Sequence, residues 1–156
     1  MNNKNNDDNF DLERHGITLD PGTRSINDKI VKFHGTPLNM AILGMIFLEI
    51  CKFQDEHSLD GKGSEYLIQY LEEIRKKGKL TPEIRSKYKN LENPTTTNLY
   101  GKSISLEVFG LLYAEMCKIQ NNLYPNGKGS LYLAEYLQEL RKIGSLTPEI
   151  RQKFRF

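Results

Sequence analysis

The 156-residue chain has no tryptophan, only two cysteines and three histidines. No apolar run reaches the roughly 18 residues that a membrane span requires. The longest apolar stretch, residues 40–53, is interrupted by Glu49 and Lys52. Without a Cys-X-X-Cys pair or a His/Cys cluster, nothing points to a structural zinc or a disulfide framework. No metal or cofactor is therefore expected. Cys51 and Cys117 lie in apolar helical patterns and are expected to be reduced, buried thiols in a reducing, cytoplasmic compartment. The net charge of +2 is too small to select nucleic acid by bulk charge. Residues 1–8 are rich in Asn and Asp, with no apolar core of the kind a secretory signal peptide carries.

What the chain does have is a copy of itself. Residues 34–90 laid on residues 100–156 match without a gap, with 25 identities in 57 positions. Gly61-Lys62-Gly63-Ser64 returns as Gly127-Lys128-Gly129-Ser130, and Leu80-Thr81-Pro82-Glu83-Ile84-Arg85 returns as Leu146-Thr147-Pro148-Glu149-Ile150-Arg151. Gly44, Glu49, Cys51, Tyr66, Tyr70, Glu73 and Gly78 return as Gly110, Glu115, Cys117, Tyr132, Tyr136, Glu139 and Gly144. Repetition on this scale is the signature of a duplicated supersecondary unit.

Each copy reads as three helices. The first spans residues 38–54 and 104–120 and is apolar most of the way round, as a central helix is. Gly44 and Gly110 lie inside it, where glycine costs about 1 kcal/mol relative to alanine, so a close helix–helix approach is expected. The second helix is capped by Ser64 or Ser130, carries a Leu67, Tyr70, Leu71, Ile74 stripe, and stops at Gly78 or Gly144. The third opens on Thr-Pro-Glu, which places a cap, a first-turn proline and a dipole-favoured carboxylate in order. The fold class expected is all-α, a tandem duplication of a three-helix unit packed into one compact domain. Its parts are a partly disordered tail (1–33), repeat one (34–90), a polar linker (91–99) and repeat two (100–156). Within the tail, Asp20-Pro21-Gly22-Thr23 reads as a turn, and residues 26–33 as a short helix.

Two features could carry chemistry. The first is the pair of loops Gly61, Lys62, Gly63, Ser64 and Gly127, Lys128, Gly129, Ser130. Free backbone N–H groups, a helix dipole and a lysine converge there, which suits an anion. The competing explanation is a tight inter-helix loop whose glycines serve the backbone and whose lysine is solvated. The Walker A spacing is absent, and residues 55–61 do not follow the ligand order of a calcium loop. The second feature is a basic patch of Arg75, Lys76, Arg85 and Lys87, returning as Arg141, Lys142, Arg151 and Lys153. It would attract phosphates or an acidic protein, unless its charges only complement helix dipoles. Glu49/Glu115 and Glu73/Glu139 read as surface charges or helix-pairing partners, and the tyrosines as core or interface.

His15, His34 and His57 are unrepeated and form no catalytic motif. The balance argues against an enzyme. The expected function is a non-enzymatic helical-repeat module that binds another protein. The alternative is a phosphate-recognising module for nucleic acid, nucleotide or anionic lipid. The small, Lys- and Asn-rich, duplicated make-up is similar to that of effectors secreted by intracellular bacteria, a likeness that implies delivery into a host cell. A unit of 57 residues is marginal alone, so the copies are expected to share a core. Limited proteolysis that cuts within residues 93–98 should not release two stable halves. Two protease-resistant halves with separate unfolding transitions would refute the shared core.

Overall fold

The computed structural model describes residues 12–19, 31–92, 96–99 and 101–155. The turn at Asp20–Thr23 and the disorder expected over residues 1–10 lie outside the described residues. The chain is mostly helical, but it is not all-α. Strands β1 (Ile17–Leu19), β2 (Val31–Phe33) and β3 (Thr36–Leu38) form an antiparallel sheet in that order. Strands β4 (Thr96–Leu99) and β5 (Lys102–Ser105) form a second antiparallel pair. These strands replace helix at residues 31–33, at 38 and at 104–105, and they replace unstructured linker at 96–99. The cause is a two-residue turn. His34 and Gly35 have φ of 50° and 80°, the left-handed pair that a tight hairpin demands. Gly101, also at 80°, serves β4–β5. Ile17, Val31, Phe33 and Leu38 are buried, so the three-stranded sheet closes one side of the core.

Each hairpin runs into a long helix. Helix α1 (Met40–His57) is capped by Asn39, which accepts the Ile42 N–H at 2.9 Å. It leads to α2 (Gly63–Lys77), α3 (Pro82–Lys87) and the short α4 (Lys89–Glu92). Helix α5 (Leu106–Leu123) is capped by Ser105 and leads to α6 (Gly129–Ile143) and α7 (Pro148–Lys153). Gly78 and Gly144 stop α2 and α6 in the left-handed conformation, as expected. Thr81 and Thr147 accept the Ile84 and Ile150 N–H groups at 3.2 Å. Ser64 and Ser130 are not caps. Lys62 and Lys128 hold the cap positions, and the serines lie buried in the first turn. None of the described helices is long and apolar enough to cross a membrane.

The core joins the two halves of the chain by reciprocal contacts. Tyr136 on α6 donates its hydroxyl to the Met40 carbonyl of α1 at 2.7 Å. Tyr70 on α2 donates to the Leu106 carbonyl of α5 at 3.3 Å. Both rings are fully buried. Each hydroxyl reaches the first carbonyl of a helix because the residue one turn later is glycine. A Cβ at Gly44 would overlap the Tyr136 hydroxyl, and one at Gly110 the Tyr70 hydroxyl. Phe47 of α1 and Phe109 of α5 stack in the same core with ring centres 6.3 Å apart.

The two terms acting at Gly44 and Gly110 have opposite signs. Alanine would gain about 1 kcal/mol in helix propensity, whereas overpacking a filled core costs about 1–3 kcal/mol. Since Tyr136 also packs against Phe154 and cannot swing aside, Gly44→Ala should lower the urea midpoint, as should Gly110→Ala. Adding Tyr136→Phe to Gly44→Ala should recover part of the loss, although Tyr136→Phe alone costs about 0.5–1.5 kcal/mol through the lost hydrogen bond. Strict additivity in that double-mutant cycle would show that the two residues do not meet.

Candidate functional site

The Gly-Lys-Gly-Ser loops are closed by the chain's own oxygens. In the first, Lys62 N–H donates to Asp60 Oδ1 (2.9 Å), Gly63 N–H to Ser58 Oγ (3.0 Å) and Ser64 N–H to Asp55 Oδ1 (2.7 Å). In the second, Lys128 N–H donates to Asn126 Oδ1 (2.9 Å) and Ser130 N–H to Asn121 Oδ1 (2.8 Å). A phosphate at the first loop would have to displace two carboxylates. The glycines have backbone reasons. Gly61 and Gly127 have positive φ, and a Cβ at Gly63 or Gly129 would overlap the carbonyl of Gln54 or Gln120 at the end of the preceding long helix. Lys62 and Lys128 are exposed.

Four of the eight residues of the basic patch are taken up in ion pairs. Arg75 pairs with Glu72 one turn away, and Arg85 with Glu107 on α5. Lys87 meets Glu73 at 2.6 Å and Lys153 meets Glu139 at 3.2 Å, which ties α3 to α2 and α7 to α6. Arg141 donates its Nε–H to Ser64 Oγ at 2.8 Å. Lys76 and Lys142 are exposed on the last turns of α2 and α6, where the helix dipole favours a cation. Arg151 also has a partner.

The cysteines are free and buried. Loss of solvation pushes each thiol up to about 12, with Asp55 adding to the effect at Cys51. Such thiols are poor nucleophiles. Among the described residues no group of three or more His, Cys, Asp or Glu side chains could hold a metal ion.

Two grooves stand out among the described residues, one built mainly from each half of the chain. Groove one, a cavity of about 670 Å³, lies where the end of α1, the start of α2 and the end of α3 meet. Phe53 and His57 stack along it at 4.0 Å, Leu59 stands fully exposed at its mouth, and Tyr66, Tyr88 and Leu91 complete the wall. Tyr66 donates its hydroxyl to Asp60 Oδ2 at 2.8 Å. Hydrogen bonds from the Lys62 N–H and then Tyr66 hold the Asp60 carboxyl below its usual range, while that bond raises the phenol. Groove two, about 520 Å³, is lined by Met40, Gln120, Tyr124, Tyr132, Phe154 and Arg155, with Tyr124 and Tyr132 rings 5.0 Å apart.

Six wall positions of groove one, occupied by Gln54, Ser58, Tyr66, Gln69, Lys87 and Tyr88, have counterparts 66 residues on in Gln120, Tyr124, Tyr132, Glu135, Lys153 and Phe154 of groove two. At each floor a lysine lies over a ring. Lys87 Nζ is 5.5 Å from the Tyr88 ring centre and Lys153 Nζ 5.6 Å from that of Phe154. The repeated tyrosines thus divide between two environments. Tyr70 and Tyr136 belong to the core, whereas Tyr66 and Tyr132 form groove rims. The only sequence signal for the rims was the recurrence of a tyrosine four residues before the core one.

The Glu73 carboxyl is held below its ordinary range, first by Lys87 and then by the Tyr88 hydroxyl, 2.6 Å away. Burial, with Glu73 second, pushes the Tyr88 phenol up to about 12. A depressed folded-state carboxyl stabilises the fold above its unfolded value, and that contribution is lost as pH falls through the folded value. Glu73→Gln should therefore destabilise the protein near neutrality and flatten its acid limb in thermal melts between about pH 6 and 3. Parallel melting curves for both proteins across that window would refute the link. No protein-family model matches the chain, no curated protein matches it, and no solved structure matches it.

Proposed function

We propose that the chain is a non-enzymatic interaction module, a tandem duplication of a three-helix unit, that binds another protein through its two grooves. The observation carrying this reading is that each groove is lined by exposed apolar or aromatic side chains. Leu59 and Tyr66 stand at groove one, and Tyr124 and Tyr132 at groove two. Concave, apolar-lined sites with a few placed polar groups are what protein and peptide anchors fill. Burying one leucine or aromatic anchor is worth about 1.5–3 kcal/mol, and each 1.4 kcal/mol is a factor of ten in affinity. Two sites on one rigid body would add avidity for a partner able to reach both. The occupied N–H groups of the Gly-Lys-Gly-Ser loops and the half of the basic patch held in ion pairs weigh against phosphate recognition as the primary role.

Peptide display against the full-length protein tests this reading. Enriched peptides should carry apolar or aromatic anchors, and Tyr66→Asp or Tyr132→Asp should weaken their binding at least about tenfold. Both tyrosines are exposed rim residues, so the fold should survive, as far-ultraviolet circular dichroism would verify. Ligands indifferent to both changes, yet lost with Lys62→Glu plus Lys128→Glu and with added salt, would overturn the groove reading in favour of an anion site.

A further inference from the structure

The rim tyrosine of each groove is held in a different way. In groove one Tyr66 donates its hydroxyl to Asp60 Oδ2 at 2.8 Å, and the Lys62 N–H donates to Asp60 Oδ1 at 2.9 Å. In the second half the neutral Asn126 stands in the position of Asp60 and accepts the Lys128 N–H at the same 2.9 Å. There Tyr132 leans on the ring of Tyr124, whose counterpart in groove one is Ser58. One rim tyrosine is fixed by a carboxylate, the other packs on a second ring.

The Asp60–Tyr66 corner is therefore built of acceptors. The Tyr66 O–H and the Lys62 N–H are both committed to Asp60, which leaves lone pairs on the carboxylate and on the phenol oxygen. Asp60 and Tyr66 are exposed, and both line groove one. Among the described residues no lysine, arginine or histidine side chain forms an ion pair with Asp60. The cations in the wall are turned elsewhere. Lys87 Nζ meets Glu73 at 2.6 Å, and His57 Nδ1 donates to the Phe53 carbonyl at 2.9 Å. In groove two the acid in the wall, Glu135, shares it with Lys153 and Arg155, so the charges there are mixed.

From this corner we infer that groove one selects segments of a partner protein that set an arginine beside their apolar anchor. The anchor occupies the groove between Phe53, Tyr66 and Leu91, and the guanidinium bridges the Asp60 carboxylate and the Tyr66 oxygen. Arginine suits the corner because its planar fork offers several donors in a fixed array, and its face can lie on an aromatic ring. The inference rests on the groove reading above and names the partner chemistry of one groove.

The probes are three acetylated and amidated dipeptides, Phe-Arg, Phe-citrulline and Phe-Glu, titrated into the isotope-labelled full-length protein. Citrulline keeps the shape of arginine without its charge. Binding of Phe-Arg on the order of 1 mM is expected for a single anchor, with the Gly61 and Tyr66 backbone amides shifting in two-dimensional NMR spectra. Phe-Arg should bind at least about threefold more tightly than Phe-citrulline, and Phe-Glu more weakly than either. Added salt should shrink the preference. In Asp60→Asn the preference should vanish while the fold is kept, because an asparagine already closes the equivalent loop at Asn126. Equal binding of Phe-Arg and Phe-citrulline, a preference that survives Asp60→Asn, or Gly61 and Tyr66 amides that stay still at about 10 mM Phe-Arg would each overturn the inference. Displayed peptides that need Tyr66 yet carry no arginine overturn this inference alone. Displayed peptides that ignore both rim tyrosines overturn the groove reading itself.

Discussion

The structure depends on a reciprocal fit of a tyrosine hydroxyl into a helix at the point where a side chain is missing. Tyr136 enters α1 over Gly44, and Tyr70 enters α5 over Gly110. Each hydroxyl arrives at a carbonyl that already serves its own helix and adds a second bond to it. A buried phenol without such a partner would cost about 1–3 kcal/mol, and the same ring with one becomes a large apolar contact with a polar anchor. Everything else in the core is arranged around these two insertions. The aromatic stack of Phe47 and Phe109 joins α1 to α5 in the same core, and the hairpins set where those two helices begin.

The charges follow from that packing. Helices α3 and α7 are six residues long and could not hold their places by propensity. A threonine cap, one buried isoleucine and a lysine–glutamate pair fix each of them. Half of what looked in the linear sequence like a basic surface serves as fasteners, with Glu72, Glu73, Glu107 and Glu139 as the partners. Exposed pairs of this kind contribute little individually, about 0–1 kcal/mol. Their value here lies in orienting short helices so that a groove is left between each one and the long helix beside it.

How much of this was legible in the sequence depended on range. Features decided within one turn could be read directly: the Thr81 and Thr147 caps, the glycine stops and the apolar stripes. The close approach at Gly44 and Gly110 was legible too, because a glycine that weakens a helix twice at the same place needs a reason. The strands were not, since three- and four-residue runs show too little alternation to compete with a strong helical pattern. Gly35 and Gly101 were visible as a repeated pair, but their meaning depended on φ. The lysines of the Gly-Lys-Gly-Ser loops stood out only because the oxygens that close those loops come partly from the preceding helix, up to nine residues away. Asp60 and Asn126, two residues before each lysine, were the local clue, being the spacing at which such side chains bond the backbone ahead of them. The grooves needed three elements to meet and had no local signature at all.

The two hydroxyl contacts match in geometry but not in topology. Tyr70 meets a residue 36 positions away, and Tyr136 one 96 positions away. Loop-closure entropy grows as the logarithm of loop length, so the second contact is about 0.9 kcal/mol harder to close from an open chain. Once Tyr70 has docked into α5, however, the 36 positions it spans no longer count toward the loop, and the 96-position closure shortens accordingly. The same contact made twice thereby acquires an order, and a spatial symmetry is traversed by a directional folding route.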